Sequence, residues 1–291
     1  MVKAWELVQN EQAQLGESPS WDEVNQVLYW IDSKKGCLYI FNPINNEHRE
    51  IEIKEQIGCV VPKSKQEVVV AAENGIYTIH LENKMKKLIN LPNKRSENIF
   101  NDGKCDPMGR FWVGTMNGLD ANKFTGELFC VNYDGSVVTK LDSIGCSNGI
   151  TWSPDYTTMY YIDTLTFEIS AFDFNLKTSE ISNRRVVVKI PNEYKLPDGM
   201  SGDTEGMLWV AHWDAGVVCR WNPYTGKLLD YIKLPAPRVT SCVFGGDKLN
   251  ELYVTSAREG LSKEQLETYP YSGGLFRIPL NVQGLRTYSF I

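Results

Sequence analysis

The sequence predicts an all-β chain folded as a six-bladed β-propeller. Two observations carry that prediction: a strand-like pattern occurs six times at blade-sized intervals, and no stretch of a dozen residues shows helical periodicity. The pattern is a polar turn, then alternating aromatic and aliphatic residues ending in a small or acidic one. Its copies are LYWID at 28–32, VVVAA at 68–72, FWVGT at 111–115, MYYID at 159–163, LWVAH at 208–212 and LYVTS at 252–256. Counted from the second residue of each copy, the steps are 40, 43, 48, 49 and 44 residues. A leucine-rich solenoid needs a shorter repeat and a helical array needs amphipathic helices, whereas a four-stranded blade fits this period.

The flanks of each copy supply the remaining strands. Turn formers precede the runs, as in Trp21-Asp22-Glu23, Asp106-Pro107-Met108-Gly109 and Ser153-Pro154-Asp155. A second β-rich run follows, as in GCLYIF at 36–41, GIYTIH at 75–80, GELFCV at 126–131 and GLFRI at 274–278. Six copies occupy the whole of residues 1–291, so one propeller domain is expected. The N-terminal run Ala4-Trp5-Glu6-Leu7-Val8 is expected to close the ring by joining the last blade, which would protect its edge.

Composition narrows the class of partner. The chain is 42% hydrophobic and 23% charged, enough apolar material for a continuous core. A net charge of −6, with basic residues only in short pairs such as Lys34-Lys35, argues against nucleic acid. No apolar run approaches the roughly 18 residues of a membrane span. Seven cysteines are scattered without a C-x-x-C pair and read as free thiols in a reducing cytosol. With no apolar leader after Met1, a cytoplasmic protein is expected, monomeric or weakly homo-oligomeric.

The innermost strand of each blade should lie just before the repeated run. Counting back 11 or 12 residues gives Glu17, Asn101, Asn148 and Asp198 in four blades, and Ile57-Gly58 and Ser241-Cys242 in the other two. Carboxylates and carboxamides thus share one phase around one axis. Carboxylates forced together in an interior need a proton, a base or a metal. Oxygen donors of this kind suit a hard divalent ion. The predicted fold is therefore a propeller with a central metal-binding channel, with Ca²⁺ as first choice and Mg²⁺, Mn²⁺ or Zn²⁺ as alternatives. Asn-Asp-Gly and Pro-Asp-Gly also form turns, but their shared phase favours the hub. Strand alternation lets Asn101 or Asp102, but not both, face the channel.

These motifs, namely Gly16-Glu17-Ser18-Pro19, Phe100-Asn101-Asp102-Gly103-Lys104, Ser147-Asn148-Gly149 and Pro197-Asp198-Gly199-Met200, resemble those of the SMP-30/gluconolactonase/luciferin-regenerating family. So do Asp163 after its Tyr-Tyr-Ile run and Thr240-Ser241-Cys242-Val243-Phe244-Gly245-Gly246, and the resemblance spans nearly the whole chain. It implies six-bladed propellers with a central divalent cation, mostly sugar lactonases. By position it implies Glu17, Asn148 and Asp198 as metal ligands, Asp198 also as general base, and Asn101 as a contact to water or substrate. The implied activity is hydrolysis of a small lactone, first a sugar aldonolactone such as gluconolactone. The chain departs from the family at Ile99, where animal sugar lactonases carry an Arg; Ile offers no donor fork to hydroxyls.

His212 lies just past the fifth run and is a candidate donor to a substrate hydroxyl, with a structural His as the alternative. Gly145-Cys146-Ser147-Asn148-Gly149 matches G-x-S-x-G, but a nucleophile elbow needs a following helix and here a strand follows. Two other functions compete: a non-catalytic Ca²⁺-binding or regulatory protein, and a metal-dependent phosphotriesterase.

Overall fold

A computed structural model of the chain describes residues 4–82, 86–89, 91 and 94–291. Six antiparallel sheets of four strands make the predicted six-bladed propeller. The repeated runs form the second strand of each blade, for example Val27–Asp32, Thr158–Asp163 and Leu208–Trp213. Their alternating aromatic and aliphatic residues are buried because neighbouring blades cover both faces, giving a core cluster at each blade interface.

The innermost strands are Gly16–Asp22, Ile57–Ser64, Asn98–Cys105, Ser147–Trp152, Leu196–Gly202 and Val239–Gly245. Each packs on the next, and the sixth returns to the first, so the ring is closed. Side chains bridge the seams between blades. Ser18 Oγ accepts from Val60 N at 2.9 Å, Ser201 Oγ donates to Cys242 O at 2.8 Å, and Thr240 Oγ1 donates to Gly16 O at 2.6 Å. The strand Glu6–Gln9 pairs antiparallel with Leu275–Pro279, the third strand of the last blade, as expected for the N-terminal run.

Two features escaped the sequence reading. One short helix, Lys263–Thr268, sits in the last blade, fixed by a capping box between Ser262 and Gln265. The C-terminal segment crosses one end of the channel. Leu285 N donates to Gly202 O at 3.0 Å, Phe290 N to Pro62 O at 2.8 Å, and the hydroxyls of Tyr288 and Tyr156 meet at 2.6 Å. Thr287 thereby lines the narrow space beneath Asp102 and Lys104.

Buried acids pin the turns that feed the second strands. Asp106 Oδ2 accepts from Trp112 Nε1 at 2.9 Å and Arg110 Nε at 2.6 Å. Two blades on, Asp203 Oδ2 accepts from Trp209 Nε1 at 2.9 Å and Arg220 Nε at 2.8 Å.

Deleting residues 1–10 removes the outer strand of the last blade, with the half-buried Leu7 and Val8. The loss of apolar burial should be roughly 2–4 kcal/mol. Thermal denaturation should then show a melting temperature lower by about 5–10 °C. An unchanged melting curve would contradict closure by this strand.

Candidate metal and substrate site

Every innermost strand breaks its regular register at the hub phase. The irregularities fall between Glu17 and Ser20, Ile57 and Cys59, Phe100 and Gly103, Ser147 and Ile150, Pro197 and Met200, and Val239 and Ser241. A bulge re-aims the side chains at that point, which is why such sites recur beside active centres. In the first blade Ser18 takes up the bend with a left-handed φ of 49° directly after Glu17, and donates its N–H to Glu17 Oε2 at 2.9 Å.

The Gly of these motifs is present for close approach and not for a turn. A Cβ on Gly149 would lie 2.7 Å from Asp198 O, and one on Gly199 would lie 2.0 Å from Ser241 Oγ. Both residues sit inside innermost strands. Only glycine lets the strands come close enough for their polar side chains to converge.

They converge on one cavity of about 320 Å³, lined by Glu17, Asn101, Asn148 and Asp198 on its polar side. Asn148 Nδ2 donates to Thr164 Oγ1 at 2.8 Å, and Thr164 donates in turn to Pro197 O at 2.8 Å. Asn101 Nδ2 donates to Ser147 O at 2.8 Å. With both amide nitrogens committed, the carboxamide oxygens are the ends left to meet a ligand. Asp163 supports this corner by accepting from Gly145 N at 3.0 Å and Cys146 N at 2.9 Å. In the first blade, Asp32 accepts from Gln14 N at 2.8 Å and Leu15 N at 3.2 Å, just ahead of Glu17.

Electrostatics mark the same place. Burial, then the charge of Asp102, pushes the Glu17 carboxyl up to about 8. Burial, then Glu17 and Asp102, holds Asp198 well above the ordinary carboxylate range. Beneath them Asp102, itself raised by burial, faces Lys104, which reaches across the channel to Met200 O at 2.7 Å. The expectation that only one of Asn101 and Asp102 addresses the channel needs correction. The bulge lets Asn101 line the cavity while Asp102 lines the narrower space below.

Among the described residues, no three His, Cys, Asp or Glu side chains form a group that would hold a metal. The cavity floor offers two carboxylates, Glu17 and Asp198, and its other hub donors are carboxamides; a third carboxylate, Glu259, lines the wall and pairs with Lys34. No Lys or Arg is among the described residues lining it. Two floor carboxylates, with no lining Lys or Arg among the described residues and with two carboxamides beside them, are a donor set that fits a hard divalent ion.

His212 does not reach the cavity. It is fully buried, its ring tilted against those of Tyr194 and Trp221, and its Nε2 accepts from Trp221 Nε1 at 3.3 Å. Burial lowers its pKa to about 3, so it stays neutral. The repeat held the signal: His212 occupies the phase of Asp32 and Asp163, whose cross-strand partners Gly16 and Ser147 correspond to Pro197. Ser147 is likewise no nucleophile. It lies buried in a strand and accepts from Tyr161 OH at 2.6 Å. Six cysteines are buried and free, and the seventh, Cys146, lines the cavity as a free thiol.

Comparison with known proteins gives the family and the fold. The SMP-30/Gluconolactonase/LRE-like region matches residues 15–258. The chain belongs to this family. It is 38% identical to regucalcin of Oryctolagus cuniculus over 293 residues, covering 98% of this chain and 97% of that protein. The solved luciferin-regenerating enzyme superposes with a TM-score of 0.91 at 30% identity, covering 99% of each chain. A regucalcin from Agrobacterium tumefaciens, described as a calcium-binding protein, shares the fold with a TM-score of 0.94 at 24% identity, covering 100% of this chain and 98% of that one. In this SMP-30/gluconolactonase-like chain, Leu15, Met116, Leu165, Leu196 and Trp213 form the apolar part of the cavity wall, which sequence reading did not foresee. Among the described residues no helix is long and apolar enough to cross a membrane.

The raised Glu17 gives a pH dependence of definite sign. In ion-free protein, folded Glu17 keeps its proton between its ordinary 4.5 and about 8, where the unfolded chain has lost it. The folded state binds more protons in that window, so stability falls as pH rises through it. Melting curves in chelator should drop from pH 5 to pH 8, and Glu17→Gln should flatten the drop. Added Ca²⁺ should raise the melting temperature more at pH 8 than at pH 6. An identical pH slope in Glu17→Gln would remove Glu17 from this role.

Proposed function

We propose that this chain is a metal-dependent lactonase, with Glu17, Asn148 and Asp198 holding one divalent cation, Ca²⁺ before Mg²⁺, Mn²⁺ or Zn²⁺. The observation that carries the reading is that four hub side chains, far apart in sequence, line one cavity in a member of the gluconolactonase-like family. Bound there, the cation would supply Lewis-acid polarisation of the lactone carbonyl and a more acidic water.

The chain's own residues account for the remaining steps. Asp198, on the polar floor of the cavity with Glu17, takes a proton from the attacking water. Asn101, its nitrogen anchored on Ser147 O, presents an oxygen that accepts from that water or from the substrate and fixes its direction. The water oxygen bonds to the acyl carbon and the ring C–O bond breaks. Asp198 returns the proton to the departing alkoxide, and the product is a hydroxy acid that releases a proton to solvent at neutral pH.

A panel of small lactones, aldonolactones included, assayed with a pH indicator tests the scheme. Acid release should require metal and stop in chelator. Asp198→Ala should lower kcat by about 10²–10³-fold or more and weaken Ca²⁺ binding in the same protein. Normal turnover in Asp198→Ala would remove it from the mechanism. Tight Ca²⁺ binding with no turnover across the panel would favour a binding or regulatory protein instead.

A further inference from the structure

The hub cavity has two unlike ends. Its floor is polar, built from Glu17, Asn101, Asn148 and Asp198. Its wall is carried by half-buried apolar side chains from four blades: Leu15, Met116, Leu165, Leu196 and Trp213. Leu196 and Trp213 are direct cross-strand partners and present one continuous apolar face. Trp213 is held from outside: the Arg238 guanidinium lies 4.8 Å from its ring centroid and is itself fixed by Asp214 at 2.9 Å. A cation stacked on an indole immobilises it as a platform.

The wall offers little to a polyhydroxylated ligand. The Thr164 hydroxyl is committed on both sides, accepting from Asn148 and donating to Pro197 O. Glu259, the charged side chain on the wall, pairs with Lys34 at 3.5 Å and would repel a carboxylate. Hydroxyls of a sugar ring pressed against leucine, methionine and indole would lose their water without gaining partners, a loss that weakens binding steeply. An apolar substituent in the same place gains roughly fourfold in affinity for each methylene buried.

We infer that the preferred substrates are neutral lactones carrying an alkyl chain or a fused aromatic ring, with the ester carbonyl on the polar floor and the apolar body against Trp213 and Leu196. This specificity rests on the lactonase reading above. A volume of about 320 Å³ restricts the ligand to one small lactone ring bearing either a short alkyl chain or one fused aromatic ring.

The test compares kcat/KM for γ-lactones of increasing alkyl length with that for D-glucono-δ-lactone. The value should climb with chain length until the cavity fills and exceed the gluconolactone value at least tenfold. Trp213→Ala should lower that ratio at least tenfold, Trp213→Phe should recover part of it, and Ca²⁺ affinity by calorimetry should stay within about threefold in both. A preference for gluconolactone, or a ratio indifferent to Trp213→Ala, would overturn the inference. If no lactone is turned over, calorimetry with the matching γ-lactams separates the two ideas. Affinity rising with chain length would support the apolar wall while sinking the hydrolytic reading, and affinity independent of chain length would sink the wall as well.

Discussion

Glu17 and Asp198 line one cavity at the hub of a closed ring, where burial and the charge of Asp102 strengthen Glu17's hold on its proton, and burial, Glu17 and Asp102 do the same for Asp198. Two like charges in a medium of low dielectric repel far more strongly than in water, so the pair needs a partner of opposite sign. Below the pair, Asp102 already has one in Lys104, which is anchored across the channel on Met200 O. Glu17 and Asp198 have none among the described side chains that line the cavity. The local excess of two negative charges is what a divalent cation would neutralise.

The scaffold holds these groups in place despite that repulsion. Bulges at one phase of all six innermost strands turn side chains inward, glycines at 149 and 199 admit the neighbouring strand, and serine and threonine hydroxyls tie the seams. The C-terminal segment covers one end of the channel, so the cavity with its apolar wall lies on the side away from it. Pre-organisation of this kind requires no movement to assemble the polar floor, which suits a site that must stabilise developing charge.

The ring and its hub were legible because a propeller repeats. Spacing located the second strands, the blade number and the phase shared by Glu17, Asn101, Asn148 and Asp198, and the need to protect the last blade's edge pointed to the N-terminal strand. What stayed hidden was non-periodic. A bulge defeats the two-residue alternation, so Asn101 and Asp102 both address the channel. The glycines looked like turn signals because a sequence does not record how near the next blade comes. The apolar wall is assembled from residues 15, 116, 165, 196 and 213, which no local pattern connects. His212 was misplaced although its phase, shared with Asp32 and Asp163, already marked a buried supporting position.

Crystals grown with Mn²⁺ and measured at its absorption edge offer the most direct check on the central claim. A single anomalous peak should fall within about 2.0–2.6 Å of oxygens from Glu17, Asn148 and Asp198 together. A peak elsewhere, or none at saturating metal, would contradict the account.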